Sequence, residues 1–182
     1  MSKLTDFEIQ RLSRFFEILI NIDKRRKDMN YRFSPIKNEQ ELYKAIKYVA
    51  EQTTALSKQI TGQEYPIEYL TIFSHFDDEF SNLRKIVERL GEIIDANNGY
   101  AVKLEKPIQL KNNELHRVRI RKPDPERPQV GCNDFTVSDY EAFKQSYLQE
   151  RPNNLRLIER PEYDMIEFFD PNFDVLAYVV SK

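Results

Sequence analysis

The stretch Glu114 to Lys122, ELHRVRIRK, sets Arg117, Arg119 and Arg121 in alternation with Val118 and Ile120. On a β-strand successive side chains point to opposite faces, so this spacing gives one apolar face and one face carrying three guanidinium groups. A guanidinium is a planar fork of donors that matches a carboxylate or phosphate through two parallel hydrogen bonds. Two roles are open for such a row. On a flat, solvated sheet face the arginines pair with nearby Asp and Glu; on a concave face they hold an anionic ligand, less screened than at a surface.

The remaining reactive residue types are few. HFDDE, His75 to Glu79, puts one imidazole beside three carboxylates, but acidic residues just ahead of a helix ordinarily serve its free N–H groups and its dipole. His116 shares the parity of Val118 and is expected to pack against an apolar layer. Cys132 is the single cysteine, which excludes an intrachain disulfide, and it reads as a small packed residue rather than a nucleophile. One cysteine and two histidines do not make a classical zinc cluster, and four unclustered glycines do not make a phosphate loop.

The elements that position these residues follow from periodicity. TDFE, Thr5 to Glu8, has the form of a capping box, and Phe7, Leu12, Phe15, Phe16, Leu19 and Ile22 give a first helix an apolar face through about Lys24. NEQE, Asn38 to Glu41, offers a second cap. Leu42, Ile46, Val49, Thr53, Leu56 and Ile60 then form a narrow seam until Gly62 stops the helix. This helical segment, residues 1–62, is expected either to pack on the rest of the chain or to mediate a homodimer.

From Pro66 the period changes. IEYLTIFSHF alternates as a strand, Phe80, Leu83, Val87, Leu90 and Ile94 predict a helix over Asp78 to Asp95, and YAVKLEKPIQL precedes the arginine strand, with a possible break at Pro107 making one strand more. RKPDPERPQVG is a proline-stiffened link. CNDFTV, a capped helix over Tyr140 to Glu150, and the strands LRLIER, DMIEFF and VLAYVV repeat the plan. The expected fold is α+β, with two tandem β-α-β-β-β modules, about 66–123 and 130–182, in one domain over 66–182 after the helical pair.

With 182 residues, 32% charged and 40% hydrophobic, the chain suits a folded globular domain with an aromatic-rich core. A formal charge of −2 supplies no global field for nucleic acid, so any charge-driven recognition is local. No basic-plus-apolar leader and no run of about 20 apolar residues is present, so a cytoplasmic protein without a membrane partner is expected.

Two tandem β-α-β-β-β modules resemble the vicinal oxygen chelate superfamily, which includes glyoxalases and extradiol dioxygenases, and MIEFFDPNFDVLAYVV is similar to its closing hairpin. VRIRKPDPERPQVGCNDFTVSD also resembles the middle of its YecM-like branch. The resemblance, over about Pro66 to Lys182, implies a curled sheet whose cup holds a divalent metal on His or Glu side chains from four strand positions. Those positions fall near Leu70, Arg121, Asp134 and Ala177. Only Asp134 can ligate a cation, so the resemblance implies the fold while the residues argue against its metal chemistry, and no cofactor is expected.

Hydrophobic parity within that frame sends Phe135, Val137, Val118 and Ile120 to the helix layer and Asp134, Thr136 and the arginines into the cup. The expected site therefore comprises Arg119 and Arg121 as primary contacts for a small anion, Arg117 at the rim, Asp134 paired with Arg121 and Ser74, and Thr136 and Ser74 as hydrogen-bond donors. Two other functions stay open: a metal-dependent isomerase, lyase or dioxygenase, and an interaction module acting through the N-terminal helices.

Overall fold

The computed structural model describes residues 31–96, 99–111, 113–150 and 153–181, together with Leu12 and Phe16. The first helix expected from the sequence lies outside the described residues except for Leu12 and Phe16, which are helical. Residues Tyr31–Lys182 form one compact unit, separate from Met1–Asn30.

That unit opens with helix α1, Glu39–Thr61. The Asn38 side chain accepts from the Glu41 amide while the Glu41 carboxylate accepts from Lys37 N, so one free amide of the first turn and the amide ahead of the cap are both satisfied. Asn38→Ala is expected to lower stability by about 1 kcal/mol, measured by urea unfolding, since it removes the cap acceptor and the exposed Nδ2 donor to Glu41. Gly62 ends the helix in the left-handed conformation, its amide bonded to Lys58 O. The seam of Leu42, Ile46, Val49, Thr53 and Leu56 is wholly buried against β1, β5, β7 and β8 of its own sheet. Each Leu or Ile so buried stabilises the unit by roughly 1.5–3 kcal/mol, which ties α1 into the domain that follows it. At the polar member of the seam, Asn133 Nδ2 donates to Thr53 Oγ1 at 2.7 Å.

Two runs of elements follow. The first is β1 (Ile67–Phe73), α2 (Asp77–Val87), β2 (Gly91–Asp95), β3 (Tyr100–Gln109) and β4 (Glu114–Arg121). The second is β5 (Gly131–Phe135), α3 (Tyr140–Tyr147), β6 (Leu155–Glu159), β7 (Asp164–Phe168) and β8 (Val175–Val180). All eight strands form one mixed sheet in the order β2-β3-β4-β1-β5-β8-β7-β6. β1 and β4 are parallel, β5 and β8 are parallel, and β1 and β5 meet antiparallel at the centre. The buried residues of α1, α2 and α3 share one core with Leu70, Ile72, Val118, Ile120, Phe168 and Val179, so the three helices cover one face of the sheet. The protein is therefore α+β with a single eight-stranded sheet.

Four expectations are corrected. The helix predicted to reach Asp95 ends at Val87, and Gly91–Asp95 is the edge strand β2, hydrogen-bonded to β3. Leu90 and Ile94 happen to continue the helical period, but Ile93 and Ile94 are exposed, so the spacing reflects no buried stripe. Pro107 makes no additional strand. It lies in the irregularity of β3 between Lys103 and Ile108, where a residue without an amide hydrogen loses no ladder bond. That same irregularity puts Leu115, not His116, against the core; His116 is exposed, with Nε2 3.6 Å from Glu114. The helix expected over Tyr140 to Glu150 stops at Tyr147.

The HFDDE residues act at the start of α2. Glu79 is buried and its carboxylate accepts from His75 N, Ile36 N and Ser34 Oγ, stapling the segment before α1 to this helix. His75 stacks on Tyr31, with ring centroids 3.8 Å apart, and burial holds its pKa below the usual imidazole value.

Candidate functional site

The face of the sheet away from the helices carries a second, smaller core of Phe73, Cys132, Leu176 and Tyr178. The alternation of each strand dictates what stands around it: Tyr69, Thr71 and Phe73 from β1, the arginines from β4, Cys132 and Asp134 from β5, and Tyr178 from β8. Two adjoining hollows of about 180 and 360 Å³ open here and share Tyr69, Arg119, Asp134, Tyr163 and Met165. The smaller gathers Arg119, Arg121, Arg127 and Arg160 around one carboxylate, Asp134. A larger hollow of about 580 Å³ lies on the helix side beside α1, but its charges, such as the Lys58–Glu64 pair at 3.0 Å, are mixed and sit on its margin.

Each strand-β4 arginine has an acidic neighbour. Arg117 is half exposed, 3.8 Å from Glu68; Arg119 is 2.7 Å from Asp95; Arg121 is 3.7 Å from Asp124. Arg119 also lies over the Tyr69 ring and Arg121 over the Phe73 ring, at 5.2 and 5.6 Å from the centroids. These contacts hold the guanidinium groups at the sheet surface and offset their mutual repulsion. Arg117 stands at the rim of the larger of the two hollows, while Arg119 reaches both and Arg121 only the smaller.

Asp134 is largely buried in the walls of both hollows. Burial pushes its carboxyl up to about 6, with Arg119 pulling down and Glu68 pushing further up. It does not pair with Arg121. Because β1 runs parallel to β4 and antiparallel to β5, Thr71 is level with both Arg119 and Cys132, Phe73 is level with Arg121, and Tyr69 is level with Asp134. Arg121 and Asp134 therefore occupy opposite ends of the hollow.

Ser74 is buried and does not line either hollow; its hydroxyl donates to Arg121 O at 2.5 Å and is unavailable to a ligand. Thr136 donates to Glu68 Oε2 at 3.2 Å, beside the rim. Of the four implied metal positions, Leu70 and Ala177 lie in the helix-side core, one residue out of register with the hollow. The residues that do face it on those strands include Tyr69 and Tyr178. Tyrosines, arginines and one carboxylate do not make the converging oxygen and nitrogen set that a divalent cation needs.

Several contributors had not been expected. Arg127, from the proline-rich link, donates to Tyr178 Oη at 3.1 Å, and Tyr178 Oη donates to the buried Glu167 at 2.9 Å. Arg156 caps the same carboxylate from outside. Burial raises the Tyr69 phenol to about 12 and the Cys132 thiol to about 12, which disfavours the ionised form of both. Tyr69 and Tyr178 have the opposite parity to Leu70 and Ala177, the cup positions expected on their strands, so a register shifted by one residue on β1 and β8 would have found them. Arg127 and Arg160, on a link and a turn, have no such signal.

No family model and no curated protein matches the chain. A solved structure described as structural-genomics protein EC4020 superposes with a TM-score of 0.62 over 79% of this chain and 87% of its own, at 14% sequence identity. At that identity the likeness concerns the fold alone.

Proposed function

We propose that this protein binds a small anionic molecule, without a catalytic metal, in a cup on the face of the sheet opposite α1, α2 and α3. The observation that carries this reading is the smaller hollow, where four arginines face one carboxylate. The two strand–helix–three-strand runs, read as a tandem repeat of the vicinal oxygen chelate kind, support it: the central β1–β5 pair is where such a repeat curls its sheet, and the arginines stand beside that pair. The superfamily's metal chemistry is not carried over, because the cup offers cationic side chains where ligands are required. Among the described residues no helix is long and apolar enough to cross a membrane, which agrees with a ligand taken from solution.

The test is thermal unfolding across phosphate, sulfate and small carboxylates against chloride at equal ionic strength. A ligand present at a hundred times its Kd stabilises the native state by about 2.7 kcal/mol. For a chain of this size that is a rise in Tm of roughly 5–10 °C. Arg121→Ala is expected to abolish the rise, since it removes the guanidinium at the cationic end while leaving the helix-side core untouched. An undiminished rise in the variant, or no rise beyond chloride, would reduce the arginines to the charged face of a sheet.

A further inference from the structure

The hollow is polarised along β1. Arg121 stands at the Phe73 end, Arg119 at Thr71, and Asp134 at the Tyr69 end, four residues or about 13 Å of strand away. Arg127 and Arg160 line the same hollow and add to its cationic character. The Asp134 carboxylate makes no hydrogen bond and no close ion pair among the described residues. Beside it, Tyr69 Oη and Arg119 Nε are buried with no well-formed hydrogen bond, and the Arg119 side chain is the donor that faces the Tyr69 hydroxyl. Buried polar groups left in this state are costly, and a ligand that fills the hollow gains by satisfying them.

A simple anion answers only one end. A carboxylate suits the guanidinium groups, but an ionised Asp134 accepts and does not donate, so what faces it must be a donor. The groups around Asp134 sharpen this demand: Glu68 and Tyr69 on β1, Arg119 on β4, Tyr178 on β8 and Tyr163 in the β6–β7 turn. The cations there are already engaged, Arg119 at 2.7 Å from Asp95 and Arg117, at the rim, at 3.8 Å from Glu68. A second anionic group placed at this end meets Asp134 and Glu68 together.

Resting on the reading of the cup as an anion site, we infer that its ligand is a short carboxylic acid that also carries a hydroxyl or ammonium donor, with Asp134 as the acceptor that selects it. The carboxylate lies against Arg119, on the side that faces Arg121, whose charge draws it without direct contact. The donor points to Asp134, and the aromatic rings of Tyr69 and Tyr163 enclose the carbon chain between them.

Titration calorimetry at pH 7.5 with four matched ligands tests this: propionate, lactate, 3-aminopropionate and malonate. Lactate or 3-aminopropionate is expected to bind at least about tenfold more tightly than propionate, the ratio of one hydrogen bond to a charged acceptor. Malonate, with its second charge, is expected to bind no better than propionate. Asp134→Leu should bring the donor-bearing ligands to within about twofold of propionate, and Asp134→Asn should raise malonate affinity relative to propionate because it removes the opposing charge. Should Asp134→Leu fail to fold, the malonate ratio in Asp134→Asn decides alone, and an unchanged ratio overturns the inference. Equal binding of propionate, lactate and 3-aminopropionate to the wild type, all lost in Arg121→Ala, overturns the role of Asp134 and leaves the anion site standing. Binding of none of the four, with no stabilisation by inorganic anions, removes the anion site and this inference with it.

Discussion

Asp134→Asn is expected to make the ligand-free protein more stable at pH 7.5, by up to ~3 kcal/mol, although it alters a largely buried residue in the middle of the sheet. The folded state raises this carboxyl from its ordinary value of 3.8 to about 6, chiefly through burial. The native protein therefore holds the proton more tightly than the unfolded chain does. Below pH 3.8 the group is protonated in both states and costs nothing; as the pH rises towards 6 the unfolded chain gives up its proton first, and native stability falls relative to a variant that cannot ionise. Above 6 the full cost of a buried charge is present. Urea unfolding of both proteins between pH 3.5 and 7.5 should show a difference near zero at the acid end and largest at neutrality. A variant less stable at pH 7.5, or a difference independent of pH, would mean that the carboxylate is better served by its surroundings than the geometry indicates.

The parts of this molecule that were legible in the sequence are those fixed by local chemistry. Helix α1 was readable end to end because its cap at Asn38, its seam from Leu42 to Ile60 and its stop at Gly62 agree with one another, and the structure gives it the range Glu39–Thr61. The facing of the arginine strand was readable for a similar reason: Val118 and Ile120 are too apolar to face anything but the core, so their neighbours must face away. What a single strand's pattern does not contain is its register against another strand. The parallel β1–β4 and antiparallel β1–β5 pairings together send Asp134 to the end of the hollow remote from Arg121, and neither pairing is written in either segment. Helical and strand periods are equally hard to separate over a short apolar run, and Leu90 and Ile94 fit the period of α2 although Gly91–Asp95 is a strand. Arg127 lies further from reach, since only the path of the link between β4 and β5 brings it to Tyr178.

Substitution at the junction of the two runs is expected to have a large effect on stability. Gly131 begins β5 and is paired with Ile72 of the central strand β1, beneath α1. A methyl group at this position would stand 2.2 Å from Thr71 O and 3.2 Å from Val49 Cγ2. The second contact can relax by a side-chain adjustment; the first opposes a backbone carbonyl in the most buried ladder of the sheet and relaxes only if the strands part. Gly131→Ala is therefore expected to cost at least ~3 kcal/mol, at the upper end of overpacking penalties. Gly62→Ala provides the contrast. Its φ is 77° with nothing within 4 Å of the added carbon, so it meets backbone strain alone, about 1 kcal/mol. Unfolding of Gly131→Ala in a Val49→Ala background separates the two contacts at Gly131. If the carbonyl is the obstacle, truncating Val49 recovers little, and the two costs add. If stability returns, or if Gly131→Ala costs no more than Gly62→Ala, the close approach of β5 to β1 is not what requires glycine there.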